Sequence, residues 1–348
     1  MIALNTGIHH LLVIRGPRAS SIELAGVHFN TGRSVLLPLP ALADEASAAT
    51  PLRAVVRAVF RFAAAFPGKQ LLIAGHADSA GGARHNLVLS ERRAHSLEHY
   101  LAGDRAAWAG QAQEFGEADD VQAVLRWLAL HHAWPCDPGP IDGILGQRSR
   151  AALDGFRRVS RDAGCSAGKL GSPLGVEDWL GFFDAYDRVL ARSLACTREQ
   201  LAGSRASLVF TDPPILACGE HQPRTAAGVD GLECADNRRV DLLFFDAAEL
   251  PDLAAKPPGA DVYRGRYVFE PIQPEPYSMF TLRLVGDDGA PIPGARVIVR
   301  VDADEQVLVS DAEGAVFVLG HEGAKVEIRS VVSPDAALLL SSITAVTP

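Results

Sequence analysis

Within the stretch GHADSAGGARHNLVLSERRA, residues 75 to 94, stand an acid, Asp78, an asparagine, Asn86, and the adjacent arginines Arg92 and Arg93. A carboxylate and a guanidinium held a few ångströms apart can grip the two ends of a zwitterion. The acid takes an ammonium, and the planar arginine fork takes a carboxylate in a geometry that lysine cannot match. Asn86 lies seven residues before Arg93, two helical turns, which puts both on one helix face. Gly81 and Gly82 allow backbone to approach a ligand without a Cβ in the way, and a helix start just after them favours an anion. Arg92 reads as surface or as a structural partner.

The elements that must position these residues follow from the pattern around them. LLVI at 11 to 14 and IELAGVHF at 22 to 29 read as strands separated by the turn signal GPRASS. LRAVVRAVFRFAAAF has helical spacing and stops at Pro67-Gly68; KQLLIAGH is a short buried strand. Leu87, Ala94, Leu97 and Leu101 predict one buried stripe on a second helix. Residues 104 to 203 are then mostly helical, anchored by Trp127, Phe156, Trp179, Phe182, Phe183 and Tyr186 and interrupted by CDPGPIDGILGQ. ILACGEHQP and NRRVDLLFF return to strand, which leaves 104 to 203 as an insertion into an unfinished α/β sandwich. A Pro-rich linker follows, and alternating strands between Asp-Gly and Glu-Gly turns close the chain. The expected class is α+β: an α/β sandwich split by a helical insertion, then a small all-β sandwich. The expected boundaries are 1–27 for N-terminal strands, 28–103 with 204–247 for the host, 104–203 for the insertion, 248–274 for the linker and 275–348 for the sandwich.

At 348 residues, 48% hydrophobic and 22% charged, the chain has the composition of folded globular domains. A net charge of −9 argues against a general nucleic-acid binder. No apolar run is long enough for a membrane-spanning helix, and MIALNTGIHHLLVIRGPR is a poor signal peptide. Cys136, Cys165, Cys196, Cys218 and Cys234 form no CxxC pair, so no zinc site is expected from them; Cys218 and Cys234 could close a loop. His9-His10 and His131-His132 read as surface pairs. With no HExxH, GxSxG or P-loop, neither an enzyme nor a cofactor or metal is expected.

The stretch at residues 75 to 101 resembles the OmpA-like peptidoglycan-binding domain, whose pattern is GHTDxxGxxxxNxxLSxxRAxxVxxYL. Gly75, His76, Asp78, Gly81, Asn86, Leu89, Ser90, Arg93, Ala94, Tyr100 and Leu101 match it without a gap. VHFNTGRSVLLP resembles that family's first strand and following turn, and ACGEHQP and ADNRRVDLLFF its closing elements. The resemblance implies binding of the stem-peptide diamino acid, usually meso-diaminopimelate, by Asp78 and Arg93 with Asn86, Ala77, Gly81 and Gly82. His76, Asn237 and Arg239 are expected in support; of Arg238 and Arg239, one is structural and the other site-adjacent. Ala77 stands where the family has threonine, and His85 where an aromatic is common. In the insertion, Gly139, Asp142, Gly143, Gly146, Ala152 and Phe156 resemble the three-helix peptidoglycan-binding module. There Ser149 is a candidate helix cap, Val121, Leu125, Leu128, Leu153 and Phe156 a core, and Trp127, Ile141 and Asp142 a candidate groove. DDGAPIPGARV and SDAEGAV resemble carboxypeptidase-regulatory or transthyretin-like sandwiches, which often adorn type VI secretion and other contractile machines.

The expectation is a non-catalytic peptidoglycan-binding protein of the periplasm or cell envelope, or one secreted without a classical signal peptide, anchoring or targeting a secretion or contractile assembly or effector to the wall. Its expected partners are peptidoglycan and assembly proteins docking on the terminal sandwich. The alternatives are a scaffold of such an assembly that has lost its ligand, or an accessory part of a cell-wall hydrolase.

Overall fold

A computed structural model describes residues 2–3, 9–11, 19–25, 28–39, 52–220, 223–225, 229, 231–234, 236–249, 277–286, 290–302, 304–321, 325–332 and 343–346. The chain is mixed α+β and divides into two compact units. One comprises Glu23–Arg188 and Ala202–Phe269; the other comprises Met1–Ile22, Val189–Leu201 and Glu270–Pro348.

The larger unit is built on a four-stranded sheet. Its strands run in the order β3 (Ala19–Ala25), β6 (Arg239–Phe245), β4 (Gln70–Gly75) and β5 (Val209–Ala217). Strand β4 is parallel to β5, with Gln70 opposite Val209, and antiparallel to β6, with Gly75 opposite Val240. Its LLIA run is buried throughout, as a central strand covered on both faces must be. Strand β6 alternates instead: Val240, Leu242 and Phe244 point into the core and Asp241 and Leu243 are half-buried. Pro213 and Pro214 are tolerated in β5 because it is the sheet edge, where a missing N–H costs no ladder bond.

Helix α1 (Leu52–Ala65) and helix α2 (Ala83–Ala102) flank β4 in sequence. Ala94, Leu97 and Leu101 of α2 are fully buried, as expected, whereas Leu87 is half-buried. The helix passes so close to the end of β4 that a Cβ on Gly75 would sit 2.0 Å from the Ser90 carbonyl oxygen; only glycine fits there.

Four further helices continue the unit: α3 (Arg105–Phe115), α4 (Ala118–His132), α5 (Gln147–Asp162) and α6 (Val176–Ser193). Asp104 caps α3 through a bond from the Ala107 N–H, and Glu117 and Asp120 form a capping box on α4. Trp108, Trp127, Trp179, Phe183 and Tyr186 are buried together, with edge-on ring contacts such as Trp127–Tyr186 at 5.3 Å and Trp108–Phe183 at 5.7 Å. Tyr100 of α2 joins this cluster against Phe183 at 5.4 Å, so the helical region and the sheet share packing within one unit. Val121, Leu125, Leu128, Leu153 and Phe156 are buried as expected. Ser149 is not a cap: α5 starts two residues before it, with Gly146 at the N-cap position, and its buried hydroxyl accepts a bond from the Gln122 amide. Arg157, also on α5, is buried and forks onto Asp178 at 2.8 and 2.7 Å. Helix α7 (Arg198–Ala206) leads back to β5.

Residues 28–39, expected to begin as a strand, contain none. They form a turn closed by the His28 ring on the Leu37 carbonyl at 2.8 Å and stitched to α2 by the Leu36 N–H on Ser96. Asn30 and Arg33 tie the same turn to Asp120 and Asp119 of α4.

The smaller unit holds two four-stranded sheets. In one, β7 (Tyr277–Leu284) pairs with β10 (Ala315–His321), and β1 (Ile2–Ala3) and β2 (His9–Leu11) also pair with β7. The other has the order β12 (Ile343–Val346), β11 (Lys325–Val332), β8 (Arg296–Val301), β9 (Asp304–Val309). One core takes Leu282, Val316 and Val318 from the first sheet and Val297, Val299, Val326 and Ile328 from the second. The first residues of the chain therefore complete a sheet made by its last eighty. Most of the expected linker, 248–274, and residues 12–14 of the expected LLVI strand lie outside the described residues. All five cysteines are free, which removes the Cys218–Cys234 bridge.

Candidate functional site

The candidate residues gather at the C-terminal end of β4. Past Gly75 the backbone stays clamped on both sides: Cys218 N–H donates to Gly75 O, His76 N–H to Arg239 O and Ala77 N–H to Gly219 O, all at 2.8–2.9 Å. The turn at 217–220 is in turn held by α2, because Ser90 Oγ accepts from Gly219 N–H and Asn86 Nδ2 donates to Glu220 Oε2. Asn86 is thus a buried strut between the helix and the loop after β5. A third segment is tied down by Ser79, whose hydroxyl donates to Val229 O and accepts from Leu232 N–H.

Asp78 is 6% exposed. Its Oδ2 accepts from Arg238 Nη1 at 2.7 Å and from the Cys234 N–H at 3.1 Å. Among the described residues its ion-pair partner is therefore Arg238, not Arg93. Of the adjacent arginines at the start of β6, Arg238 is the site-adjacent one. Arg239 turns to Asp241, 3.1 Å from Nε to Oδ2.

Arg93 has no exposed surface. Its Nε donates to Arg33 O at 2.9 Å, and its guanidinium lies 5.3 Å from the Phe29 ring centroid. Its two terminal nitrogens, Nη1 and Nη2, are buried and have no hydrogen-bond partner among the described residues. Burial, followed by repulsion from Arg238, pulls its pKa down to about 10, and attraction to Asp78 opposes the fall. A fully buried charged fork with both prongs unpaired is costly, about 1–3 kcal/mol for each orphaned group. Such a fork is complementary to a carboxylate.

The supporting residues divide. Asn237 is buried and folds its own loop: Oδ1 accepts from the N–H groups of Arg224 and Thr225, and Nδ2 donates to Thr225 O. His76 is buried with Nε2 3.1 Å from Asp241 Oδ2, close enough for an ion pair, although neither ring nitrogen makes a well-aligned hydrogen bond. Desolvation lowers the His76 pKa against the pull of Asp241. Burial alone would raise the Asp241 carboxyl, but His76 and Arg239 hold it at about 2. His76, Arg239 and the half-buried Asp241 form one ion-pair cluster.

Gly81 has φ +98, a conformation that side chains rarely adopt, and Ala77 is buried. Gly82 has an ordinary extended backbone at the N-cap of α2 and open space around it, so only Gly81 requires glycine, and for its φ rather than for a close approach.

The second expected groove is not assembled. Trp127 is buried against Tyr186 and the His132 ring, inside the helical core. Asp142 is exposed, and its Oδ1 accepts from the Ile144 N–H and from Gln122 Nε2. Gln122 also accepts from the Asp142 and Gly143 N–H groups, which makes Asp142 a turn-former beside the half-buried Ile141.

Sequence reasoning gave no role to Glu220 or Ser90 and left Arg238 undecided. The alternation of β6 was the available signal for Arg238: Val240 faces the core, so Arg239 and Asp241 share the other face, and Arg238 falls just before the strand. No helix among the described residues is long and apolar enough to cross a membrane. No family model matches the chain, and no curated protein matches it.

Proposed function

We propose that the protein is a non-catalytic binder of peptidoglycan that grips the zwitterionic end of the stem-peptide diamino acid. The observation that carries the reading is the buried guanidinium of Arg93, whose two prongs have no hydrogen-bond partner among the described residues, within electrostatic reach of the Asp78 carboxylate. The ligand's carboxylate completes the Arg93 fork. Its ammonium joins Arg238 on Asp78, or displaces it. The site holds two guanidiniums, Arg93 and Arg238, and two carboxylates, Asp78 and Glu220, a balance suited to a zwitterion.

In this reading the sheet β3-β6-β4-β5 with α1 and α2 is an OmpA-like domain, and helices α3 to α7 elaborate it. The two sheets of the smaller unit are a β-sandwich that docks on a secretion or contractile assembly, so the protein ties that machine to the wall. A specific observation favours a second reading, a scaffold without a ligand: Asp78 is already neutralised by Arg238, and Arg93 has no open surface.

Co-sedimentation with purified sacculi separates the two. Loss of one partner from a desolvated charge pair costs about 2–5 kcal/mol, so Asp78→Ala and Arg93→Ala lose sacculus binding, while an exposed control such as Arg84→Ala keeps it. Absence of binding by the unmodified protein selects the scaffold.

A further inference from the structure

On the outer face of α2, two residues beyond Arg93, stand His95, Glu98 and His99 in the sequence HSLEH. One turn separates the two histidines, which places their rings on the same face of the helix. The rings stack with centroids 5.4 Å apart. Glu98 Oε2 lies 3.5 Å from His95 Nδ1 and 2.9 Å from His99 Nδ1. All three ligand atoms fall within 4.8 Å of one another. A tetrahedral zinc with ligands at 2.0–2.1 Å needs donors roughly 3.4 Å apart, so this set closes around an ion with rotamer adjustments alone.

We propose that His95, Glu98 and His99 bind one divalent first-row transition ion, with zinc as the natural occupant. Two imidazoles and one carboxylate suit zinc, copper, nickel or cobalt and are too nitrogen-rich for magnesium or calcium. All three side chains keep solvent access, at 38%, 16% and 21% exposure, so an ion reaches them without unfolding. His95 Nδ1 makes no well-aligned hydrogen bond among the described residues and faces Glu98 Oε2, so both atoms can turn to one ion. The fourth position is open to water or to a side chain from a neighbouring molecule. An ion held there rivets the second half of α2, the helix that carries Asn86 and Arg93. The sequence expectation of no metal site was drawn from CxxC and HExxH spacings; His-x-x-Glu-His places the same donor types on one helix face in a different order. The inference stands apart from the zwitterion site and survives its failure.

The test is a Co2+ titration of metal-free, reduced protein, followed by visible absorption and by displacement with Zn2+. One saturable site with nitrogen and oxygen ligation is expected. Loss of even an outer-shell partner costs a metal site 10–100-fold in affinity, so His95→Ala and His99→Ala each weaken binding by at least about tenfold. Glu98→Gln weakens it as well, and His131→Ala/His132→Ala leaves it unchanged. Zinc also raises the melting temperature of the unmodified protein and not that of His95→Ala/His99→Ala, whose own melting temperature without metal reports any cost to folding. The proposal is overturned by no saturable binding at millimolar Co2+. It is also overturned by binding that persists in the double variant, or by a thiolate-to-cobalt charge-transfer band marking the cysteines as ligands.

Discussion

Replacing Arg93 by methionine is expected to stabilise the ligand-free protein while abolishing binding. In the folded chain the guanidinium is wholly buried, makes one hydrogen bond through Nε and leaves Nη1 and Nη2 unpaired among the described residues. Two orphaned groups at about 1–3 kcal/mol each amount to about 2–6 kcal/mol. Losing the charged bond to Arg33 O returns about 1.5–3 kcal/mol of that. Methionine keeps most of the side chain's length and fills the space beside Phe29 with an adaptable apolar group. The central values of these ranges leave a gain of about 2 kcal/mol, with roughly 2–4 °C in melting temperature for each kcal/mol. Urea denaturation and calorimetry of ligand-free protein measure the gain, and sacculus co-sedimentation measures the loss of function. Destabilisation by more than about 2 kcal/mol would refute the reasoning, because it would mean that both prongs are satisfied in the native state. Stability given up at a binding site is the usual signature of a preorganised charge.

Other outcomes follow from the same structure. Arg157→Lys loses most of the five bonds that the guanidinium makes to Asp178, Asp154, Ser172 O and Pro173 O, since an ammonium cannot fork. Full removal in Arg157→Met costs about 3–5 kcal/mol in urea denaturation, and wild-type stability in both variants would contradict the role assigned to this pair. Gly75→Ala drives β4 from α2 and is severely destabilising, whereas Gly82→Ser changes stability by no more than about 0.5 kcal/mol; thermal melts that rank them the other way would count against the packing described. Burial raises the Asp120 carboxyl to about 7, against bonds from Glu117 and Asn30. Its folded pKa lies above its unfolded value, so its contribution is full below about pH 4 and is lost as pH rises through about 7. Asp120→Asn therefore flattens the pH dependence of the melting temperature across that window, and an unchanged slope would show the carboxylate to be solvated.

Much of the larger unit was legible because its signals are local. The periodicity of LRAVVRAVFRFAAAF and the buried run LLIA identify α1 and β4, and Ala94, Leu97 and Leu101 mark the inner face of α2. What stayed hidden depends on distant segments. Nothing in the spacing of Ile2–Ala3 or His9–Leu11 announces pairing with Tyr277–Leu284, because a strand's partner is set by the whole sheet. The turn at 28–39 contains β-compatible residues, yet its bonds to Ser96, Asp119 and Asp120 hold it as a turn. At the site, the Asp78 carboxylate lies within electrostatic reach of the Arg93 guanidinium, whose pKa it raises. That Asp78 would take Arg238, 160 residues away, required the third dimension. Trp127 stands in the sequence both as an anchor of the helical region and as a candidate groove residue; its packing on Tyr186, far along the chain, places it in the core.

The central claim is that Arg93 and Asp78 grip a carboxylate and an ammonium carried on one carbon. It is tested most directly by calorimetric titration with two stem peptides, one ending its side chain in the diaminopimelate zwitterion and one carrying lysine, which has the ammonium alone. Binding of the diaminopimelate peptide, at least about tenfold weaker for the lysine peptide and lost in Arg93→Met, is the expected result, because one charge-assisted fork is worth about 1.5–3 kcal/mol. Equal affinity for the two peptides, or binding that survives Arg93→Met, would contradict it.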